Sequence, residues 1–357
     1  MKALSFLFIF LIPVSLTYSY HVIGIGSPCV DLIYNVDDDF LKSTSLNKGD
    51  GQYASNWNSF SSILEKGDQL GSFKGMATGG SASNTIKGLS CLQNKTALLG
   101  KLGSDPSGLF YRKVAENLNI HLLAETSKEP TMQVAIFVTE DHQRTFFAYL
   151  GSSFQIPQDT LSKDLFKDVQ LVHFDGYVID EFSFDFTERA MKLAKASGAK
   201  VSIDLGCSRV AKMYRKEILY LLQNYTDVVF GNESEVEALF EQPASEGCCL
   251  LSKYCPVAVT LKGDQGACIS SQGQMFLSPA SDAIAIDTTG AGDLFASGFL
   301  HGYLKGYSLE DCAWIGNLLG GTIVSVVGAE IPEAIWPSLI GKIEKKIRET
   351  SSAKSPS

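Results

Sequence analysis

Asp287-Thr-Thr-Gly-Ala-Gly-Asp293, running straight into Leu294-Phe-Ala-Ser-Gly-Phe-Leu300, decides how this chain is read. Its glycines leave backbone N–H groups bare, and a helical pattern starts at the same point. Those N–H groups lie at the positive end of a helix dipole, where an anion is favoured. A carboxylate, Asp293, stands beside them. Bare amides attract an anion and a carboxylate repels one. The two belong together where a carboxylate takes a proton next to a phosphate, so the layout predicts phosphoryl transfer to a hydroxyl. Residues 283–286, just upstream, read as a strand.

Working outward, strand and helix patterns take turns from about residue 165. Strand-like LVHFDGY, AKVSIDLG, TDVVFGN and PVAVTLKG are separated by helical stretches at 183–197, 211–223 and 233–240. A hairpin at 267–277 and helices at 293–305 and 309–327 follow. Such alternation implies βαβ units and a mostly parallel sheet. Earlier, HVIGIG and CVDLIYNV are extended, 60–64 is amphipathic, and TGGSASNT is a glycine turn entering a helix at 83–92. A strand at 96–101 and a helix at 108–117 come next. Residues 132–150 alternate polar and apolar around a polar turn, which is a hairpin signal. This hairpin and the 30–55 region interrupt the alternation. The expected architecture is an α/β three-layer sandwich with a mostly parallel central sheet. A small β-sheet lid would come from about 30–55 and 130–150. The main domain would span 21–345, with 346–357 as a disordered polar tail.

The chain has 357 residues, enough for one large α/β domain. The net charge of −9, from 30 basic and 39 acidic residues, disfavours nucleic acid, which needs a basic face. Eight cysteines include no CxxC pair, so reduced thiols filling a core are expected. Five histidines and no HExxH or Ser/His/Asp signature leave a hydrolase unsupported. Lys2 precedes an apolar run at 3–16, and segment 1–20 resembles the start of a secretory signal. The run is too short to span a bilayer. The stretch before HVIGIG lacks a small-x-small cleavage site, so a misassigned start codon explains it equally well. A functional signal implies an exported protein, and a misassigned start a cytoplasmic one.

Each remaining candidate has a structural alternative. Gly24-Ile-Gly26-Ser-Pro-Cys29 lacks the third glycine and the helix of a dinucleotide fingerprint, and no GxxxxGK[ST] loop exists. Asp31 follows the first strand in an apolar setting: it caps a turn or grips two substrate hydroxyls. Gly79 and Gly80 start a helix or form a hinge that lets a ligand approach, with Asn84 adding a hydrogen bond. Asn232 and Glu235, at a strand end, form a helix cap or face a hydrated Mg²⁺. Lys262-Gly-Asp-Gln-Gly266 is a hairpin turn or a bed for a nucleotide. Arg144 is a surface arginine or closes a lid over phosphates.

Together, DTTGAGD at 287–293, GNESE at 231–235, GG…N at 79–84 and the early Asp31 resemble the ribokinase or pfkB family of carbohydrate and nucleoside kinases. The likeness covers about residues 21 to 335. VDDDFL at 36–41, NKG at 47–49 and GGSASNTIK at 79–87 are similar to its adenosine kinase branch, bacterial members in particular. The resemblance implies ATP and Mg²⁺ as cofactors and a sugar or nucleoside as substrate. It makes Asp293 the general base and the N–H groups of Gly290, Ala291 and Gly292 the anion hole. Asp31, Gly79, Gly80 and Asn84 would hold hydroxyls, and Asn232 and Glu235 would position Mg²⁺ through water. Thr260, Gly263, Gly266 and Asn317 would border ATP, and Arg144 would neutralise phosphates. Asp287 and Thr289 fall where members use a monovalent cation such as K⁺. A monomer and a homodimer both fit. The competing reading is a non-catalytic sugar or nucleoside binder on the same scaffold, which would have no use for a base at position 293.

Overall fold

The computed structural model describes residues 19–154, 156 and 158–353. Most of the apolar segment at 1–20 therefore lies outside the described residues. The chain opens with β1 (Val22–Ile25), β2 (Cys29–Asn35), α1 (Asp38–Thr44), β3 (Gly51–Tyr53), α2 (Trp57–Leu70) and β4 (Ser72–Gly79). Next come α3 (Ser81–Cys91), β5 (Thr96–Leu99), β6 (Lys101–Gly103), α4 (Pro106–Asn117), β7 (Ile120–Leu122) and β8 (Glu125–Ser127). The hairpin is β9 (Met132–Val138) and β10 (Arg144–Tyr149). Alternating units follow: β11 (Leu171–Asp175), α5 (Phe184–Ala196), β12 (Lys200–Asp204), α6 (Ser208–Met213), α7 (Arg215–Asn224), β13 (Val228–Asn232) and α8 (Glu233–Phe240). The chain closes with α9 (Gly247–Leu251), β14 (Val257–Leu261), β15 (Ala267–Ser271), β16 (Gln274–Ser278), α10 (Ala291–Leu304), α11 (Leu309–Ile323) and α12 (Trp336–Ala353).

The large sheet runs β16-β15-β14-β13-β12-β11-β1-β5-β7. All its pairings are parallel except those made by β15. Its strands read as near-continuous apolar runs because both faces are covered. The period of two is visible in the packing. Val228 and Phe230 join the cluster that holds Phe295 and Phe299 of α10, whereas Val229 joins the one that holds Leu221 of α7 and Val236 of α8. The sheet is thus the middle of three layers, as expected.

The second sheet runs β3-β10-β9-β2-β4. It draws in β4 (Ser72–Gly79), which lay outside the expected lid segments. Val30, Leu32, Tyr34, Ala135, Phe137 and Phe147 point to its core side, against Phe60 of α2. The opposite face carries Asp31, paired across the ladder with Val134, and Ile33, paired with Ile136. Phe146, Ala148 and Arg144 continue that face through their pairing with β9, and Tyr53 through β3.

Three expectations are corrected. Residues 283–286 form no strand, because the N–H groups of Ile286 and Asp287 donate to Val324 O instead of a ladder. Helix α11 ends at Ile323, not 327, and the chain unwinds so that the Gly328 N–H reaches Asp287 Oδ2 at 2.6 Å. Residues 346–353 of the expected tail are helical, since α12 buries Trp336, Leu339 and Ile343 on one stripe; 354–357 lie outside the described residues. Each such side chain contributes about 1.5–3 kcal/mol when fully buried, enough to order an otherwise polar helix.

Candidate active site

Asp293 lies in the first turn of α10, after Gly290 in the left-handed region at φ 75°. A side chain at Gly290 would be strained there and would press on Ala329 Cβ at 2.9 Å. The turn leads the chain into the helix with no side-chain cap. Of the three expected anion-hole amides, that of Ala291 donates to Thr288 O at 3.2 Å. Among the described residues, those of Gly290 and Gly292 have no acceptor.

The Asp293 carboxylate is held from α3. Ser81 Oγ donates to Oδ1 at 2.7 Å, and Asn84 Nδ2 donates to Oδ2 at 2.9 Å. Thr85 Oγ1 donates to the Asp293 main-chain oxygen at 3.2 Å. The two helices can approach because Gly88 faces Ser297, where a Cβ would sit 2.4 Å from Oγ. Burial raises the Asp293 carboxyl above the usual range, and the Ser81 and Asn84 hydrogen bonds and Lys87 pull it partly back. A raised carboxylate is a stronger base.

Gly79 and Gly80 join β4 to α3. Gly80 has φ 100°, and a Cβ there would lie 2.6 Å from Ser27 O. A Cβ on Gly79 would lie 2.8 Å from Asp31 Oδ2, so only glycine leaves room for that carboxylate. Asp31 accepts from Cys29 Sγ at 3.8 Å. Burial pushes its carboxyl up to about 6, against the pull of Lys87.

Arg144, at the start of β10, donates to both Thr289 and Asp287. The open face of the small sheet is therefore turned toward the loop before α10. Asp287 also accepts from the N–H groups of Thr289 and Gly328, at 2.9 and 2.6 Å. Burial pushes its carboxyl up, but these donors and Arg144 outweigh that and hold it below the usual range. Protein donors thus orient its oxygens at the place where the sequence suggested a cation.

Asn232 and Glu235 form a reciprocal capping box at the head of α8. Glu235 accepts from Asn232 N at 2.8 Å and from its Nδ2 at 2.7 Å. Burial, with the nearby Asp293 charge, raises the Glu235 carboxyl to about 6. Two further carboxylates, not anticipated, end β11 and β12. Asp175 accepts from Ala82 N at 3.0 Å, capping α3 from another strand, and burial raises it to about 6. Asp204 is pushed well up by burial and by Glu235 and Asp293. Their signal was an aspartate at the carboxyl end of successive parallel strands, where α/β sheets bind ligands. Ser81 was legible only as a helix-start residue.

Of the nucleotide-side set, Gly266 and Asn317 both meet Ser278 at the end of β16. Gly263 faces free space at φ 57°. Gly266 is required by the fold, because a Cβ there would strike Ser278 O at 2.1 Å. Thr260 is buried within β14, and the Asn317 amide donates to Ser278 O and Oγ at 3.2 and 2.9 Å.

The pfkB family carbohydrate kinase model matches residues 60–336. The chain belongs to that family. It is accordingly a kinase, a phosphotransferase that draws its phosphoryl group from ATP. A nucleoside kinase of Methanocaldococcus jannaschii is 27% identical over 270 residues, covering 75% of this chain and 85% of that protein. Adenosine kinase 2 of Arabidopsis thaliana is 24% identical, over 89% of this chain and 98% of that one. The crystal structure of adenosine kinase from Sinorhizobium meliloti superposes with a TM-score of 0.81 at 30% identity, covering 92% of this kinase and all of that chain. The kinase shares that fold, with a large mostly parallel sheet and a small separate one. Among the described residues no helix is long and apolar enough to cross a membrane.

Proposed function

We propose that this kinase moves the γ-phosphoryl group of ATP to a primary hydroxyl of a nucleoside, with adenosine the first choice. Asp293 is the general base. The observation that carries this is its placement. A desolvated carboxylate, oriented by Ser81 and Asn84, stands in the first turn of α10 beside the Gly290 turn. It takes the hydroxyl proton while the free amides of Gly290 and Gly292 face the developing charge.

The small sheet favours a nucleoside over a simple sugar. Asp31 can accept two hydroxyls, and it shares its face with Ile33, Val134, Ile136, Phe146, Ala148 and Tyr53. A planar base would cover those apolar groups; a sugar, hydroxylated all round, would leave them against polar surface. Arg209 of α6 sits 5.6 Å from the Tyr53 ring centroid, so this sheet already touches the larger layer.

The donor set suits a hydrated Mg²⁺. Asp293 raises the carboxyls of both Asp204 and Glu235, and Glu235 raises that of Asp204, a conflict that a divalent cation relieves. Among the described residues no three such side chains are close enough to chelate a metal directly. Asn232 and Glu235 would therefore hold the ion through water, and the ion would neutralise the phosphates. Arg144 would add a fixed positive charge from the small sheet.

The test is a panel of adenosine, inosine, cytidine, ribose and fructose with ATP and Mg²⁺. Adenosine should give the highest kcat/KM. Turnover of ribose or fructose without adenosine would move the assignment to sugars. Tight binding of a panel member with no turnover of any would favour a non-catalytic binder.

A further inference from the structure

Lys87 is a buried lysine in the middle of α3, with its side chain 8% exposed. Burying an ammonium costs several kcal/mol unless its donors are met. Here Nζ donates to Thr78 O at 2.6 Å, to Thr78 Oγ1 at 3.1 Å and to Glu330 Oε1 at 2.8 Å. Thr78 Oγ1 also donates to Glu330 Oε1 at 2.8 Å. All three ammonium protons are thus used within one knot.

The knot joins three segments that build the site. Thr78 directly precedes the Gly79-Gly80 turn beside Asp31. Lys87 lies on the helix that carries Ser81 and Asn84. Glu330 follows Ala329, the residue that packs against Gly290. We propose that Lys87 is a positioning residue for phosphoryl transfer: through Thr78 and Glu330 it ties the glycine turn and the Gly290 turn to α3, and it supplies the positive charge that Asp31 faces. This rests on Asp31 as the hydroxyl acceptor.

The charged and titratable groups facing Asp31 are Cys29 on its own strand, Lys87 from α3, Tyr111 from α4, Arg144 from β10 and Glu330. Burial is the largest influence; Lys87 draws the carboxyl down, and Glu330 pushes it up. The two partners of one salt bridge therefore act on Asp31 with opposite signs. Loss of packing alone produces no such opposition.

The experiment compares wild type, Lys87→Met and Glu330→Gln. The pH dependence of kcat/KM for the acceptor is measured, and the Asp31 carboxyl is titrated by ¹³C NMR, which needs no turnover. In Lys87→Met the Asp31 midpoint and the acid limb should move to higher pH, with kcat/KM near neutrality down about tenfold or more. In Glu330→Gln both should move to lower pH. KM for ATP should stay within about twofold in either, because the knot touches the acceptor side. Unmoved midpoints, or shifts in the same direction, overturn the proposal. If Lys87→Met does not fold, the downward shift in Glu330→Gln decides. Absence of turnover in wild type strikes the function reading alone, since the carboxyl titration still tests Lys87.

Discussion

Asn84 Nδ2 donates to Asp293 Oδ2 at 2.9 Å, joining the start of α3 to the start of α10. The bond crosses between two helix N-termini, so both dipoles point their positive ends at one carboxylate. With Ser81 on the other oxygen, Asp293 keeps one orientation.

Asp293→Asn keeps this shape and removes the base. Its kcat should fall about 10²–10⁴-fold, the range of general base catalysis. ATP affinity, read by calorimetry, should barely change. Near-normal turnover would remove Asp293 from the mechanism.

Asn84→Ala removes one charge-assisted hydrogen bond, which contributes about 1.5–3 kcal/mol. Activity should drop about 10- to 150-fold. Combined with Ser81→Ala, which frees the other oxygen, the losses should be non-additive in a double-mutant cycle. Strict additivity would mean that the two donors do not act through the same carboxylate.

Arg144→Lys should be nearly as damaging as Arg144→Ala. The guanidinium serves Thr289 and Asp287 at once, and an ammonium cannot span them as a planar fork. A loss of about 10²–10³-fold in kcat/KM is expected, comparable to removing a transition-state donor. Full activity in Arg144→Lys would show that only the charge matters.

The acid limb of kcat/KM should lie near pH 6, where burial places the Asp31 carboxyl. Asp293, also raised by burial, adds to the loss at low pH. A profile between about pH 5 and 9 checks it. Activity flat to the acid end would exclude Asp31 from the essential ionised groups.

Mg²⁺ should raise Tm more above pH 7 than below pH 5. Glu235 rises to about 6 in the fold, from 4.5. A carboxyl raised by folding stabilises the protein while protonated, and that stability is lost as pH rises through the folded value. Above it the cluster is charged and the cation relieves the repulsion; below it there is little to relieve. A scan with and without Mg²⁺ at both ends measures the difference, and equal increments would place the ion elsewhere.

The sequence alone determined the parallel sheet and the glycine turn that opens α10, because both are local. Apolar runs with period two need only their own strand to declare themselves, and Gly290 and Asp293 are three residues apart. What only the tertiary structure decided lies far apart in the chain. Ser81 meets Asp293 across 212 residues, and Lys87 meets Glu330 across 243. No periodicity records such a meeting. Arg144 and Asp287 were legible only one at a time, and the fold joins them in an ion pair. Asn317, expected to border ATP, has its side-chain amide oriented by Ser278. Residues 346–353 joined helix α12 because Trp336, Leu339 and Ile343 found a surface to bury on, which local composition could not reveal. Local pattern sets what each segment can form; packing decides which polar groups are left over for chemistry.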